Sequence, residues 1–405
     1  MKVLTLTTSF PDRQRPIHAV FVKNRIKALL RLCQVKVIAP VPWVPLGGKL
    51  CPERYRIYPK IPYKEIQDSL EVFHPRYVVT PKIGRSLHGF MYFASILKFV
   101  KRFYQSYNFE LLDVHWAYPD GFAGVLLGKL LRKPVVVTVR GVDINLLPNF
   151  WMMRKMITYT LKEADRVIAV CQALKNKSLE LGIDARKITV IPNGVDIRRF
   201  YPLDKVEARK MLGLPLDERI VLSVGHLVER KGFHYIIDAI SILRERGRRD
   251  ISLFIVGAPG EEGNFKRQLE NRIARLNLED QVRMVGAKPN DELYKWYSAA
   301  DIFCLASSRE GWPNVLFESL ACGTPVVATK VWGIPEVICS EDYGILVDRR
   351  SGKEIAEGIL KALNKCWDYS KLVEYARRNT WDKVGQKVYS EFQDLLCKRG
   401  EKESI

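Results

Sequence analysis

Short apolar, β-rich runs alternate with helix-length segments along the whole chain. In the first half the runs are VLTLTT, VKVIAP, LLDVHW, PVVVTV and RVIAV, and in the second IVLSVG, SLFIVG, VRMVG, IFCLAS and PVVAT. A strand covered on both faces has no polar side to show, so runs of this kind between helices predict parallel sheets with helices on either side. The second half repeats the alternation of the first without obvious sequence identity, which predicts an α/β chain of two Rossmann-like domains. Between them, in VIPNGVDIRRFYP, Pro192 stops a ladder, Asn193-Gly194 is a turn signal, and Asp196 to Pro202 is polar and proline-punctuated. The expected domains are therefore 1–194 and 195–375. In the tail, 376–405, Val384, Val388, Phe392, Leu395 and Leu396 recur at helical spacing, predicting a last helix that crosses back onto the first domain. Open α/β sheets bind ligands beyond the carboxyl ends of their strands, so two parallel sheets facing across a cleft imply an enzyme with two substrates.

The densest chemistry lies in CLASSREGWPNVLFESLACGTPVVAT, from Cys304 to Thr329. A strand at 302–305 gives way to a small-residue loop, Pro313 suits the first turn of a helix, and Gly323 with Pro325 ends it. Glu310 then sits in the loop at the helix mouth and Glu318 about two turns further on. Backbone N–H groups of Trp312, Asn314 and Val315 at that mouth would attract a phosphate, and paired carboxylates suit vicinal hydroxyls of a sugar or a ribose. In VGHLVERKGFHYIIDAI, a strand ends at Gly225 and Lys231-Gly232 open a helix. Arg230 and Lys231 would face Glu310 across the same sheet edge and neutralise a pyrophosphate as charge develops on it.

Glu310, seven intervening residues and Glu318, set in EGWPNVLFESLACGTPVVA, resemble the donor signature of the family-four glycosyltransferases. The similarity runs over nearly the whole chain and is nearest the subgroup that builds cell-envelope polysaccharides such as teichuronic acid. The resemblance implies the GT-B fold and retaining transfer from a nucleotide-diphosphate sugar, UDP- or GDP-linked, to a polysaccharide, lipid-linked or other envelope acceptor. It puts Glu310 against the donor sugar and Glu318 on the ribose, with Gly311 among the donor-binding residues. Relatives carry arginine directly after the glycine of the second motif, where this chain has His226, whose role the sequence leaves open.

On the other domain, DVHWAYPDGFAGVLLGKLL places His115 at a strand end. It is either a packed residue or a catalyst, and its match to the family histidine that lies against the donor sugar implies the second. VVVTVRGVDIN exposes Arg140, Gly141 and Asp143; many relatives have histidine where Arg140 stands. Arg140 would contact a phosphate or an acidic acceptor, or else ion-pair with Asp143 or Asp120. The loop from Ser9 to Val20 should lie near the acceptor, with Arg13, Arg15 and His18 as its contacts or as plain surface charge.

Composition narrows the setting. A formal charge of +20 over 405 residues calls for a polyanionic neighbour: nucleic acid, anionic lipid or a phosphorylated substrate. No nucleic-acid-binding module appears. The segment Val72 to Phe109 has no acidic residue, and Arg76, Lys82, Arg85, Lys98, Lys101 and Arg102 flank LHGFMYFASILKFV. That is either a basic amphipathic helix on the inner face of the plasma membrane or an ordinary domain helix. The N-terminus turns polar too early for a signal peptide and no uncharged span follows, so a cytoplasmic protein is expected. The eight cysteines form no Cys-x-x-Cys pair and read as buried thiols of a reducing compartment. No Asp-x-Asp follows a strand and no ligand-spaced His/Asp cluster occurs, so no metal and no cofactor beyond the co-substrate is expected. A dehydrogenase is excluded because TTSFPDRQ lacks the glycine fingerprint after the first strand. A sugar-nucleotide epimerase or phosphorylase of the same shape remains as the enzyme alternative, and a basic nucleic-acid-binding protein as the non-enzyme one.

Overall fold

The computed structural model describes residues 1–44, 55–80, 87–260 and 262–403. The chain divides into two compact units, Met1–Asn193 together with Trp381–Ile405, and Gly194–Thr380. The first break falls on the Asn193-Gly194 turn signal. The second lies later than the expected 375/376, because Leu372 and Ala376, on the helix Tyr369–Arg377, are sealed into the core of the second unit.

The strands are β1 (Lys2–Leu6), β2 (Gln34–Ile38), β3 (Val41–Trp43), β4 (Lys64–Gln67), β5 (Leu70–Phe73), β6 (Arg76–Val78), β7 (Leu111–His115), β8 (Val135–Val139), β9 (Arg166–Ala169) and β10 (Ile188–Val190) in the first unit. The second unit holds β11 (Arg219–Val224), β12 (Ile251–Val256), β13 (Val282–Gly286), β14 (Ile302–Leu305), β15 (Val326–Thr329) and β16 (Gly344–Val347).

The first unit is built on a sheet of order β10-β9-β8-β7-β1-β2-β5-β4, parallel except for the β4/β5 hairpin at its edge, beside a small β3/β6 pair. Every residue of β7 and β8 is buried, as doubly covered strands require. The strand order reverses between β1 and β7, the place where open α/β sheets open a crevice at their carboxyl edge. The helix Trp381–Glu403 returns to this unit and shares one core with the helix Val20–Leu29: Trp381, Val384, Val388 and Phe392 lie with Val22, Ile26, Ala28 and Leu29. A Cβ at Gly385 would lie 2.7 Å from that of Ala28, so the two helices meet at their backbones.

The helix His88–Tyr107 turns Tyr92, Ile96, Val100, Phe103 and Tyr107 inward, so its apolar stripe is used by the core; Leu87 and Phe90 remain exposed. Lys82 and Arg85 of the basic segment lie outside the described residues, as does Cys51. Among the described residues no helix is long and apolar enough to cross a membrane. The described cysteines are free thiols, but Cys339, Cys366 and Cys397 are exposed, not buried as expected: Cys339 and Cys366 lie in irregular segments after the helices Ile334–Val337 and Gly352–Asn364, and Cys397 lies on an exposed position of the last helix.

The second unit has a fully parallel sheet of order β13-β12-β11-β14-β15-β16. Its two faces carry separate cores, one around Phe254, Tyr297, Phe303 and Leu316, the other around Phe233, Ile237, Leu253 and Ile355. Here the order reverses between β11 and β14.

Candidate active site

At the reversal in the second unit two loops meet. One follows β11 and runs through Gly225 and His226 to a single 3-10 turn, Glu229–Lys231; the other follows β14 from Ala306 to Pro313. Gly232, at φ +72°, ends the turn, and a Cβ there would lie 2.0 Å from the Ala306 carbonyl oxygen. Only glycine permits that approach, and it is what brings the two loops together. Ser308 N–H closes the junction by donating to the Arg230 carbonyl at 2.9 Å.

The charged side chains converge on Glu310. Its Oε1 accepts from Lys231 Nζ at 2.7 Å, Arg230 Nη1 at 3.0 Å and Ser307 Oγ at 2.7 Å. Burial would push this carboxyl up, but Lys231 and Arg230 outweigh it and hold it below its ordinary range. Arg230 is also held bidentately by Glu262, with Nε to Oε2 at 2.9 Å and Nη2 to Oε1 at 2.7 Å. Gly225 lies against the Lys231 stem, an added Cβ falling in ordinary contact at 3.4 Å from its Cε. The structure thus brings together the cations and the carboxylate that the sequence set on one sheet edge. His226 is exposed, and its ring packs under Gly260.

Pro313 is the residue before the helix and not, as expected, in its first turn; the helix is Asn314–Ala321 and has no side-chain cap. Its first intrahelical donor is Leu316, to the Pro313 carbonyl, so the N–H groups of Asn314 and Val315 precede the first bond of the ladder. Gly311 lies partly exposed between Glu310 and Trp312. Trp312 stacks on Phe317 at 5.6 Å, and its indole N–H is buried without a partner among the described residues. Glu318 accepts from the Tyr297 hydroxyl at 3.0 Å. Burial pushes its carboxyl up to about 7, against the opposing pull of Tyr297, Arg199 and Lys231.

Sequence reasoning missed Ser307, Glu262, Tyr297 and Arg350. Arg350 donates to the carbonyls of Ala306 at 2.7 Å and Glu229 at 2.8 Å, stapling the β11 and β14 loops. In VDRRSG it has no motif around it. The only available signal was its position after a strand at the same sheet edge.

In the first unit, His115 ends β7 with none of its surface exposed. Of the two readings, packed residue or catalyst, the structure shows a packed residue that receives Arg140. Its Nε2 is 3.2 Å from Asp113 Oδ2, and its Nδ1 receives Arg140 Nε at 3.0 Å and Nη2 at 2.7 Å. Arginine can only donate, so the His115 proton is fixed on Nε2. Burial drives the imidazole down to about 3, with Asp113 opposing, and it is neutral. Asp113 is ion-paired to buried Arg25 at 3.2 Å.

Neither ion pair considered for Arg140 forms. Asp143 spends its carboxylate on the backbone N–H groups of Ala117, Arg140 and Gly141, at 2.9, 3.1 and 2.9 Å. Asp120 takes Thr8 N–H and hydroxyl and the Tyr92 hydroxyl, at 2.6, 2.9 and 2.9 Å. In the first loop, Arg15 is locked onto Asp12 at 2.8 Å and over the Tyr58 ring, a fastening that folds the loop. Arg13 is exposed and His18 half-buried. Among the described residues no three His, Cys, Asp or Glu side chains gather as a metal-ligand set.

Comparison with known proteins joins the two units. Residues 204–379 match the family described as glycosyl transferases group 1, and residues 18–199 match glycosyltransferase family 4. The chain is 29% identical to the putative teichuronic acid biosynthesis glycosyltransferase TuaC of Bacillus subtilis, over 89% of each chain. It is 26% identical to the amylovoran biosynthesis glycosyltransferase AmsK of Erwinia amylovora, over 98% of this chain and 99% of that one. Among solved structures, sucrose-phosphate synthase from Thermosynechococcus elongatus superposes with a TM-score of 0.76 at 20% identity, covering 98% of this chain and all of the other. Anabaena Alr3699/HepE in complex with UDP superposes with a TM-score of 0.75 at 21% identity, covering 97% of this chain and all of that one.

Proposed function

Given that the chain belongs to the family-four glycosyltransferases and has the GT-B fold, we propose that it moves a sugar, with retention of configuration, from a nucleotide-diphosphate donor to a polysaccharide or lipid-linked acceptor of the cell envelope. The observation that carries the reading is the junction of Lys231, Arg230 and Ser307 on Glu310 at the carboxyl edge of the second sheet. The envelope acceptor draws support from TuaC and AmsK, glycosyltransferases of teichuronic acid and amylovoran biosynthesis. A UDP-linked sugar is favoured by HepE, whose structures hold UDP and UDP-glucose.

In this reading the donor diphosphate competes with Glu262 for Arg230 and is neutralised by Arg230 and Lys231. Both are preorganised cations that need no rearrangement as the phosphate leaves. Glu318, with the Tyr297 hydroxyl behind it, accepts from the ribose. Glu310 orients the sugar hydroxyls, and the unpartnered Trp312 N–H has an acceptor to find in the same place. The glycosidic bond to the diphosphate breaks, and the acceptor oxygen attacks from the face the phosphate vacates. Its proton passes to a phosphate oxygen, which gives retention without a protein nucleophile. His115, neutral and already bonded at both nitrogens, takes no proton.

Two lysine and arginine charges supply the neutralisation that a divalent ion gives elsewhere, so metal-independent transfer belongs to the same proposal. Activity that survives excess chelator agrees with it; abolition by chelator with rescue by a divalent ion overturns it. The donor site is tested by thermal-shift screening of the whole protein against a panel of nucleotide sugars. One UDP- or GDP-sugar should raise the melting temperature, since a ligand at about 100 times its Kd adds about 2.7 kcal/mol to the native state. A panel without effect sinks the reading.

A further inference from the structure

We infer that Arg140 is the seat of an anionic group, a carboxylate or a phosphate monoester, carried by the acceptor, so that this enzyme glycosylates acidic acceptors. The inference rests on the reading that the first unit holds the acceptor.

Arg140 stands immediately after β8 at the carboxyl edge of the first sheet, with 8% of its surface exposed. Its guanidinium lies 5.1 Å from the ring centre of Phe21 and 5.7 Å from that of Trp116, two faces that fix the plane of the fork. Both acceptors it uses are neutral: His115 Nδ1, taken by Nε and Nη2, and Asn193 Oδ1, taken by Nη1 at 3.0 Å. Among the described residues one N–H on each terminal nitrogen is left over. The carboxylates of the region are already committed, Asp113 to Arg25 and His115, Asp143 to three backbone amides, Asp120 to Thr8 and Tyr92.

A buried cation without an ionic partner is costly, and chains keep one where a ligand completes it. The strain on this one is visible: burial, then repulsion from Arg25, pulls the guanidinium down from its ordinary value to about 9, against Asp113 and Asp143. It is still charged at neutral pH. A planar fork held by neutral partners and presenting two spare donors matches the two oxygens of a carboxylate or phosphate. His115, its proton fixed on Nε2, acts here as the positioning residue that aims the fork.

The test uses the full chain in about 0.15 M salt, where screening limits long-range attraction by the basic surface to roughly 8 Å. Binding of D-glucuronate, D-glucose 6-phosphate and D-glucose is measured calorimetrically in the presence of UDP. At least one anion should bind about tenfold or more tightly than glucose, the range of a charge-assisted hydrogen bond. Glucuronate alone identifies a carboxylate as the source, and glucose 6-phosphate alone a phosphate. Arg140→Met should bring the preference within about twofold, while the exposed control Arg186→Gln keeps it.

Should Arg140→Met fail to fold, the near-isosteric Asn193→Asp supplies the guanidinium with a built-in counter-charge and should weaken the same preference, which a purely structural role would not. No binding of either anion, equal binding of all three sugars, or a preference that persists in both variants overturns the inference. UDP binding in the same samples reads the donor site separately: its loss speaks against the transferase reading, and its retention without an anion preference against this inference alone.

Discussion

Glu318 carries an ordinary side chain in a place that changes its acid strength. Burial holds its carboxyl at about 7, against an ordinary value of 4.5, so folding takes up a proton between those limits. Asp120 behaves alike, raised from 3.8 to about 7 by burial against the pull of Thr8 and Tyr92. The sign follows: their contribution to stability is complete below the unfolded value and is lost as the pH rises through about 7. The melting temperature of the ligand-free protein should therefore fall from about pH 5 to about pH 8, and Glu318→Gln or Asp120→Asn should flatten that slope. Ribose hydroxyls donate more strongly to the ionised carboxylate than to the protonated one, so UDP binding near pH 6.5 should release protons. Calorimetry in buffers of different ionisation enthalpy reads this release, and a binding heat independent of buffer would refute the ribose role. Glu318→Ala should abolish the UDP-induced thermal shift. At this scale the sequence disclosed what sits inside a contiguous pattern: Glu310, Glu318, Arg230 and Lys231. It hid Glu262, Arg350 and Asn193, single residues that reach the sites across tens of positions and whose neighbours in the chain say nothing of where the backbone returns.

Elements were legible in proportion to their burial. β1, β2, β7, β8, β9, β11, β12, β14 and β15 are mostly buried runs, readable as apolar stretches; β13 was readable from VRMVG although Val282 alone of its residues is buried. β4, reading KEIQ, carries two charges and is nowhere fully buried, while β3, β6 and β10 have three residues each, too few to show a period. The helix His88–Tyr107 illustrates the converse: its stripe was plain, but an amphipathic pattern does not say whether protein or lipid covers it. The junction of the β11 and β14 loops depends on Gly232. Gly232→Ala combines a left-handed backbone with a Cβ driven into the Ala306 carbonyl, and should cost more than about 1 kcal/mol. Because the junction aligns Arg230 and Lys231 with Glu310, the variant should also weaken UDP binding. An unchanged dissociation constant would show that the loops are aligned by something else, Arg350 being the first alternative.

For the molecule as a whole, the charge of +20 is not consumed by the internal ion pairs. Leu87, Phe90, Phe150 and Trp151 of the first unit stand at least half exposed. We propose peripheral attachment to an anionic membrane surface through this unit. Flotation with phosphatidylserine vesicles should succeed at low ionic strength and fail at about 1 M salt, where the Debye length is about 3 Å. Protein left at the bottom of the low-salt gradient ends that idea.

The return of the helix Trp381–Glu403 to the first unit has a temporal consequence. Residues 1–193 leave the ribosome first, yet their core lacks Val388 and Phe392 until the last turns of the chain have followed. At about 5–20 residues per second, the intervening Gly194–Thr380 delays completion by some 10–40 s. Throughout that interval Ala28 and Leu29 wait without their cover. The unit begun first is finished last, and a nascent chain cut short after Thr380 would retain every strand of both sheets while leaving the first apolar face open to whatever binds it.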